Sequence, residues 1–136
     1  MTVKEVGSEA ALRNAHCELD GLTPKQALAE QANGALLIDV RLEAHSAGIA
    51  GIPGAIVIDL MLLSLRLDPT SEHRIPEADS WDSRYVLFCE HGQSSQLAAS
   101  ELRKRGLHRA THMTGGFEAW AGAGLTTVHG SADVRS

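Results

Sequence analysis

Three short runs of mostly apolar residues constrain the fold of this chain more than any other feature. They span residues 35–38, 55–58 and 85–88, and none of them alternates apolar with polar positions. A strand without alternation is typical of a parallel sheet that is covered on both faces. A fourth strand is predicted over residues 110–113 and a short last one over residues 126–128. The sequence therefore predicts a mainly parallel sheet buried inside the molecule.

Helical patterns lie between these runs. Thr23 can cap a helix that begins at Pro24, and Gln26 occupies the returning position of a capping box. Apolar spacing predicts three further helices, over residues 59–66, 94–105 and 116–123. The second of these is expected to bury an apolar face formed by Leu97, Ala98 and Leu102. Strands that alternate with helices predict an α/β domain with helices on both faces of the sheet.

Length and charge narrow the class of protein. The chain has 136 residues, enough for one domain, and its net charge of −5 with no basic stripe argues against a nucleic-acid partner. No apolar run approaches the roughly 20 residues that span a bilayer, and the polar N-terminal segment does not resemble a secretory signal. We therefore expect a cytoplasmic protein with no membrane partner. The predicted organisation is a partly disordered extension (1–21), one domain (22–128) and a disordered tail (129–136).

Cys89 is the candidate nucleophile. It ends the third apolar run, and a short polar loop then leads into the helix predicted from residue 94. A thiol at the carboxyl end of a buried strand faces the amino end of the next helix, where backbone N–H groups and the helix dipole favour negative charge. Such a site stabilises the thiolate, which is the reactive form. The alternative is an inert buried cysteine.

The second cysteine, Cys17, is expected to be a free thiol in the N-terminal extension. A cytosolic chain of this size does not need a disulfide. The other interpretation is a resolving thiol that reaches Cys89.

Three segments resemble the signatures of the rhodanese (sulfurtransferase) family. They are Leu37–Arg41 with Ile52–Ala55 after it, the loop Cys89–Ser95, and Gly115–Trp120, and they occur in the family's order. The resemblance covers residues 22–128. It implies a rhodanese-like domain with a five-stranded, mainly parallel sheet. It also implies that Cys89 carries sulfane sulfur as a persulfide.

One departure from the family pattern concerns the charge of the loop. The family motif C-x-x-G-x-R-S has arginine at the position of Ser94, and Glu90 adds an acid beside the thiol. Because thiosulfate is a dianion, the loss of a fixed guanidinium is expected to weaken its capture and to lower the activity. Backbone N–H groups remain available to stabilise the persulfide.

The resemblance also implies which residues surround the nucleophile. The expected active-site loop comprises Glu90, His91, Gly92, Gln93, Ser94 and Ser95. Asp39 and Arg41 are expected to brace this loop or line its entrance, and Arg41 is a candidate replacement for the missing cation. His91 either donates to the incoming anion or faces solvent. The two serines either bond the sulfur or only begin the helix.

Three functions remain open at this point. The first is a sulfurtransferase that takes sulfur from thiosulfate or a persulfide donor and passes it to a thiol, cyanide or protein acceptor. The second is a catalytically weak binding or sulfur-carrier module. The third, a cysteine phosphatase or arsenate reductase, is disfavoured because the C-x₅-R loop needs arginine where this chain has Ser95. Neither a cofactor nor a metal is expected, since the histidines lack the paired spacing of a zinc site.

Overall fold

The computed structural model describes residues 21–45, 48–130 and 132–135. The predicted N-terminal extension, except Gly21, lies outside the described residues, and so does Cys17. None of the helices in the described part of the chain is long and apolar enough to cross a membrane.

The strands form one main sheet and one small sheet. In chain order they are β1 (Leu36–Asp39), β2 (Ala50–Gly51), β3 (Ile56–Val57), β4 (Tyr85–Phe88), β5 (Thr111–His112), β6 (Val128–His129) and β7 (Asp133–Val134). The main sheet has the order β5-β4-β1-β3-β7, and all its neighbouring pairs are parallel. β2 and β6 form a separate antiparallel pair. The predicted five-stranded, mainly parallel sheet is therefore confirmed.

One helix precedes β1 and the others lie between later strands, close to the ranges that the apolar spacing predicts. They are α1 (Pro24–Ala32), α2 (Leu63–Leu67), α3 (Gln93–Lys104) and α4 (Gly116–Gly122), with 3₁₀ turns at Leu42–His45 and Leu60–Leu62. The capping box before α1 is confirmed in both directions. The Gln26 amide donates to Thr23 Oγ1 at 3.2 Å, and the Thr23 amide donates to Gln26 Oε1 at 2.9 Å.

The central strands divide the core into two halves. Ile38 and Leu87 point to one face of the sheet, where they pack with residues of α2 and α3. Leu37 and Phe88 point to the other face, where they pack with residues of α1 and α4. All four of these side chains have no solvent exposure. Helices thus cover both faces, which explains why the strand sequences do not alternate with polar residues.

The buried face of α3 differs from the predicted one. Leu102 is buried, but Leu97 and Ala98 are only half-buried, whereas Ser95 and Ala99 face the sheet. The physical reason lies at the start of the helix, where Ser95 turns toward Cys89. Residues 95, 99 and 102 then share one helical face, Ala98 lies at the edge of that face, and Leu97 lies further round the helix.

The described C-terminal residues include two short strands, β6 and β7, within or next to the segment that the sequence predicts as a tail. The fifth strand of the main sheet is β7, parallel to β3, and not the short run predicted at residues 126–128. The Arg135 amide donates to the Val57 carbonyl at 2.8 Å, and the Arg135 guanidinium donates to both carboxylate oxygens of Glu77 at 2.9 and 2.8 Å. Two interactions hold β7 in place. Its backbone pairs with the edge of β3, and Arg135 forms a bidentate ion pair with Glu77.

Candidate active site

Cys89 follows β4, one of the three central strands of the sheet, at its carboxyl end. Its thiol accepts hydrogen bonds from the backbone amides of Gly92 at 3.1 Å and Ser95 at 3.5 Å. The Ser95 hydroxyl lies 3.4 Å from the same sulfur. Cys89 is only 8% exposed and contacts aliphatic residues on its inner side. The sulfur therefore has apolar packing behind it and N–H donors in front of it.

The first two carbonyl groups of the loop, those of Cys89 and Glu90, are bonded to backbone amides of α4. The Phe117 amide donates to Cys89 O at 2.8 Å, and the Glu118 amide donates to Glu90 O at 3.0 Å. Two amides at the start of α4 therefore hold the loop in an orientation that leaves its own amides free to face the thiol. Gly116 permits this approach, because a Cβ atom there would lie 2.3 Å from Cys89 O.

The loop is shorter than the sequence predicts, since α3 begins at Gln93. Gly92 precedes the helix with φ +102°, and a Cβ at this position would lie 2.9 Å from the Gly115 amide nitrogen. Glycine is thus required both by the backbone conformation and by the close contact with the chain before α4. Ser95 is buried beneath the sulfur, whereas Ser94 and Gln93 are exposed on the first turn of the helix.

Arg41 joins the end of β1 to the loop after β4. Its Nε and Nη2 donate to the two carboxylate oxygens of Asp39 at 3.0 and 2.8 Å, and its Nη1 donates to Glu90 Oε2 at 3.0 Å. Nη2 also donates to the Ala50 carbonyl at 2.8 Å, and the guanidinium lies 4.3 Å from the ring centroid of Phe117. The guanidinium is buried, with 3% exposure.

The protonation of Arg41 follows from these contacts. Burial opposes the charge on its guanidinium, but hydrogen bonds and attraction from Asp39, and then from Glu90, outweigh burial and raise the pKa of Arg41. The cation is therefore permanent, and each of its three nitrogens already has an acceptor. The sequence predicts two alternative roles for Arg41, bracing the cysteine loop or attracting the donor anion. Its contacts with Asp39 and Glu90 fit the bracing role.

His91 stands at the outer side of the loop. Its Nδ1 lies 2.6 Å from Glu118 Oε2, and both side chains are largely exposed. The partner could not be found from the sequence, because 27 residues separate the two side chains. This pair is a second link between the loop and α4.

The thiol opens into a cleft of about 430 Å³. Of the candidate site residues besides Cys89, five line the cleft, namely Arg41, Glu90, His91, Gln93 and Ser94, whereas Asp39, Gly92 and Ser95 do not. Sequence reasoning missed the opposite wall, which the 3₁₀ turns after β1 and β3 provide. The added residues are two acids, Glu43 and Asp59, and three apolar residues, Leu42, Leu60 and Met61. The sequence did contain a signal for this wall, because both turns follow predicted strands, and parallel strands end at the same edge of the sheet as β4.

The described residues contain no group of three or more histidine, cysteine, aspartate or glutamate side chains that could hold a metal ion. The described lining of the cleft brings together the Cys89 thiol, three carboxylates, the Arg41 guanidinium and the His91 imidazole.

The rhodanese-like domain model matches residues 23–123 of the chain. Thiosulfate sulfurtransferase GlpE of Pseudomonas fluorescens is 36% identical over 103 residues, which are 76% of this chain and 85% of that protein. The human single-domain sulfurtransferase is a structural relative with a TM-score of 0.61 and 26% identity, covering 75% of this chain and 95% of its own.

A protein of unknown function from Rhodopseudomonas palustris, described as a possible tyrosine phosphatase, has the same fold. Its TM-score is 0.77 at 30% identity, and the match covers 94% of this chain and 98% of that one. The family match spans most of the chain and includes the strand end, the cysteine loop and the start of α4 that build the cleft. The chain therefore belongs to the rhodanese-like domain family, the family of the rhodanese-type sulfurtransferases.

Proposed function

We propose that the protein transfers sulfane sulfur through a persulfide on Cys89. The observation that carries this proposal is the pair of amides, from Gly92 and Ser95, that donate to the thiol at 3.1 and 3.5 Å. Backbone donors around a sulfur stabilise its anion, and an anionic sulfur is needed in both halves of the reaction. The relatives named as thiosulfate sulfurtransferases support the same conclusion.

The reaction has two displacement steps. The Cys89 thiolate attacks the outer sulfur of thiosulfate or of a donor persulfide, the S–S bond of the donor breaks, and sulfite or a thiolate leaves. An acceptor thiolate or cyanide then attacks the terminal sulfur of the Cys89 persulfide. The bond between the two sulfurs breaks, Cys89 leaves as the thiolate, and the products are a new persulfide or thiocyanate.

The surrounding residues have supporting roles in this proposal. Asp39 fixes Arg41, and Arg41 fixes Glu90 and thereby the first residue of the loop. Ser95 holds the sulfur through its amide, while its hydroxyl lies 3.4 Å from Sγ and donates to the Gly92 carbonyl at 3.3 Å. His91 lies at the mouth of the cleft, where it can meet the donor or the acceptor. We further propose a cytoplasmic setting, because thiols such as that of Cys89 are kept reduced there.

Phosphate chemistry is less well supported by the same cleft. A phosphate-transfer loop needs a free bidentate guanidinium. The one arginine among the described residues that line the cleft is Arg41, and Asp39, Glu90 and Ala50 O already occupy its three nitrogens. The sulfur-carrier module remains the alternative, and turnover distinguishes it from an enzyme.

The test is a direct assay of sulfur loading and release. The protein is incubated with thiosulfate, and the Cys89 peptide is examined by mass spectrometry for the added mass of one sulfur atom. Cyanide is then added and thiocyanate is measured over many turnovers.

We expect sulfur loading of Cys89 and slow but repeated turnover, and we expect both to be absent in Cys89→Ala. Turnover that survives in this variant would refute the assignment of the nucleophile. Loading without turnover would favour the carrier module.

A further inference from the structure

The charge of the cleft does not suit the dianion that a thiosulfate sulfurtransferase takes up. Among the described residues, its lining has three carboxylates, those of Glu43, Asp59 and Glu90, and one guanidinium, that of Arg41. The guanidinium is already shared between Glu90 and the buried carboxylate of Asp39. The cleft is thus acidic, and a low-dielectric wall concentrates such a potential at its mouth.

The cleft also has an apolar lip. Leu42 is 77% exposed and Met61 is 86% exposed, and Leu60 beside them is 40% exposed. All three line the same cleft as Cys89. Large apolar side chains that are exposed together around a reactive group usually contact a ligand or partner. A small inorganic anion leaves these side chains without a contact.

A second cleft adjoins the first one along the flank of α3. It measures about 330 Å³ and shares Leu60 and Ser94 with the cleft around Cys89. Leu97 and Ala98, the two residues that the helix leaves half-buried, line it. The two clefts therefore lie side by side across Leu60 and Ser94, and together they extend from the thiol to the side of α3. An extended peptide can contact both clefts, which a compact small molecule cannot.

From these features we infer that the sulfur acceptor is a cysteine in a peptide segment of a protein, with basic residues beside the cysteine and an apolar residue further along. Basic side chains pair with Glu43 and Asp59, and the apolar residue packs against Leu42, Leu60 and Met61. This inference deepens the proposed function and rests on it, because it needs the Cys89 persulfide.

The transfer step balances without an oxidant or a reductant. The thiolate of the peptide attacks the terminal sulfur of the Cys89 persulfide, and a new S–S bond forms on the peptide cysteine. The bond between that terminal sulfur and Cys89 Sγ breaks, and its electron pair stays on Cys89 as the thiolate. The peptide leaves as a persulfide.

The experiment measures single-turnover transfer from protein that has been loaded at Cys89 with a low-molecular-weight persulfide. The acceptors are acetylated and amidated pentapeptides of the form Leu-Xaa-Cys-Xaa-Leu, in which Xaa is lysine, glutamine or glutamate. A fourth peptide replaces both leucines of the lysine peptide with glycine. Cysteamine serves as a small cationic thiol for comparison.

Two double variants separate the charge of the cleft from the intrinsic reactivity of each peptide. Glu43→Gln/Asp59→Asn neutralises the cleft, and asparagine at 59 can still accept the bond that Asp59 Oδ1 receives from the Met61 amide at 2.9 Å. Glu72→Gln/Asp79→Asn is the matched control, since it removes the same charge from exposed positions that do not line the cleft. The lysine-to-glutamate rate ratio is compared between proteins, so that differences in thiol reactivity cancel.

We expect the lysine-to-glutamate ratio to fall about tenfold in the cleft variant, to persist in the control variant and to shrink with added salt. The lysine peptide with two leucines should react several-fold faster than the lysine peptide with two glycines, and Met61→Ser should reduce this difference.

An unchanged lysine-to-glutamate rate ratio in the cleft variant would overturn the inference. Cysteamine reacting as well as the lysine peptide would also overturn it, in favour of a small cationic thiol. Failure of the protein to load sulfur at Cys89 would instead refute the proposed function itself.

Discussion

At the scale of single residues, the chain holds the Cys89 sulfur with backbone amides and places carboxylates at the entrance of the cleft. Gly92 and Ser95 supply N–H donors that carry no net charge, so they stabilise an anion once it has formed. In the proposed function, Glu90 and Ser94 would set how easily an anionic donor reaches the sulfur. Stabilisation of the proposed persulfide and capture of the donor would then depend on different residues.

The first residue-scale prediction concerns Ser94, which stands where the family pattern has arginine. Ser94→Arg should raise kcat/KM for thiosulfate by roughly three- to tenfold, because a guanidinium on the first turn of α3 reduces the negative potential of the cleft. Ser94→Gln, which adds a polar side chain without charge, is the matched control and should have little effect. An equal gain in both variants would show that size and not charge is responsible.

At the scale of the elements, two segments far apart in sequence build the site together. The contribution of α4 to the site is made by its backbone. The Phe117 amide donates to Cys89 O at 2.8 Å, and the Glu118 amide donates to Glu90 O at 3.0 Å. Gly116 makes this contact possible, because its φ of +66° and its missing Cβ leave room for Cys89 O. The shape of the cysteine loop therefore depends on the start of a different helix.

The element-scale prediction is that Gly116→Ala displaces the loop. The added Cβ lies 2.3 Å from a backbone carbonyl and also requires a positive φ, so we expect a loss of about 2 kcal/mol or more in the free energy of unfolding. Sulfur transfer should fall with it. Urea unfolding and thiocyanate formation measure the two effects.

The same helix offers a control for this substitution. Gly122 ends α4, and nothing lies within 4 Å of a Cβ built there. Gly122→Ala should leave both sulfur transfer and stability unchanged, or slightly increase stability. A Gly116→Ala variant as active and as stable as Gly122→Ala would contradict the role given to the start of α4.

At the scale of the whole molecule, the C-terminal strand completes the main sheet through an ion-pair network. Arg135 donates to Glu77 and to Asp133, and these contacts lower the pKa of Glu77 and of Asp133. The side chains remain a quarter to a half exposed, so solvent screens the pairs. The network is therefore a modest, pH-dependent contribution to the stability of the sheet edge.

The whole-molecule prediction concerns this pH dependence. A carboxylate whose pKa is lower in the folded state stabilises the fold above its ordinary pKa, here 4.5 for Glu77 and 3.8 for Asp133, and loses that effect as the pH falls further. Arg135→Gln should therefore cost about 1 kcal/mol at neutral pH and progressively less below about pH 4.5. Chemical unfolding from pH 7 to pH 3 measures the difference.

A matched control removes a positive charge elsewhere on the surface. Lys25→Gln, on the exposed side of α1, should change stability little at either pH. If the cost of Arg135→Gln were the same at pH 7 and at pH 3, the ion-pair network would not be its cause.

Local sequence patterns were sufficient for much of the fold. Continuous apolar runs predicted β1, β3 and β4, and the capping residues predicted the start of α1. The resemblance located the cysteine loop and the motif around α4. These features depend on residues that are neighbours in sequence, and such short-range preferences of burial and capping can be read directly.

The remaining features depend on contacts between distant segments. The sequence by itself determined that Cys89 follows a buried strand and precedes a helix. Only the tertiary structure decided that Arg41 pairs with Glu90, that Glu43 and Asp59 make the cleft acidic, and that β7 is the fifth strand. The physical reason is that the order of strands in the sheet brings together turns from distant parts of the chain, and no local periodicity records that order.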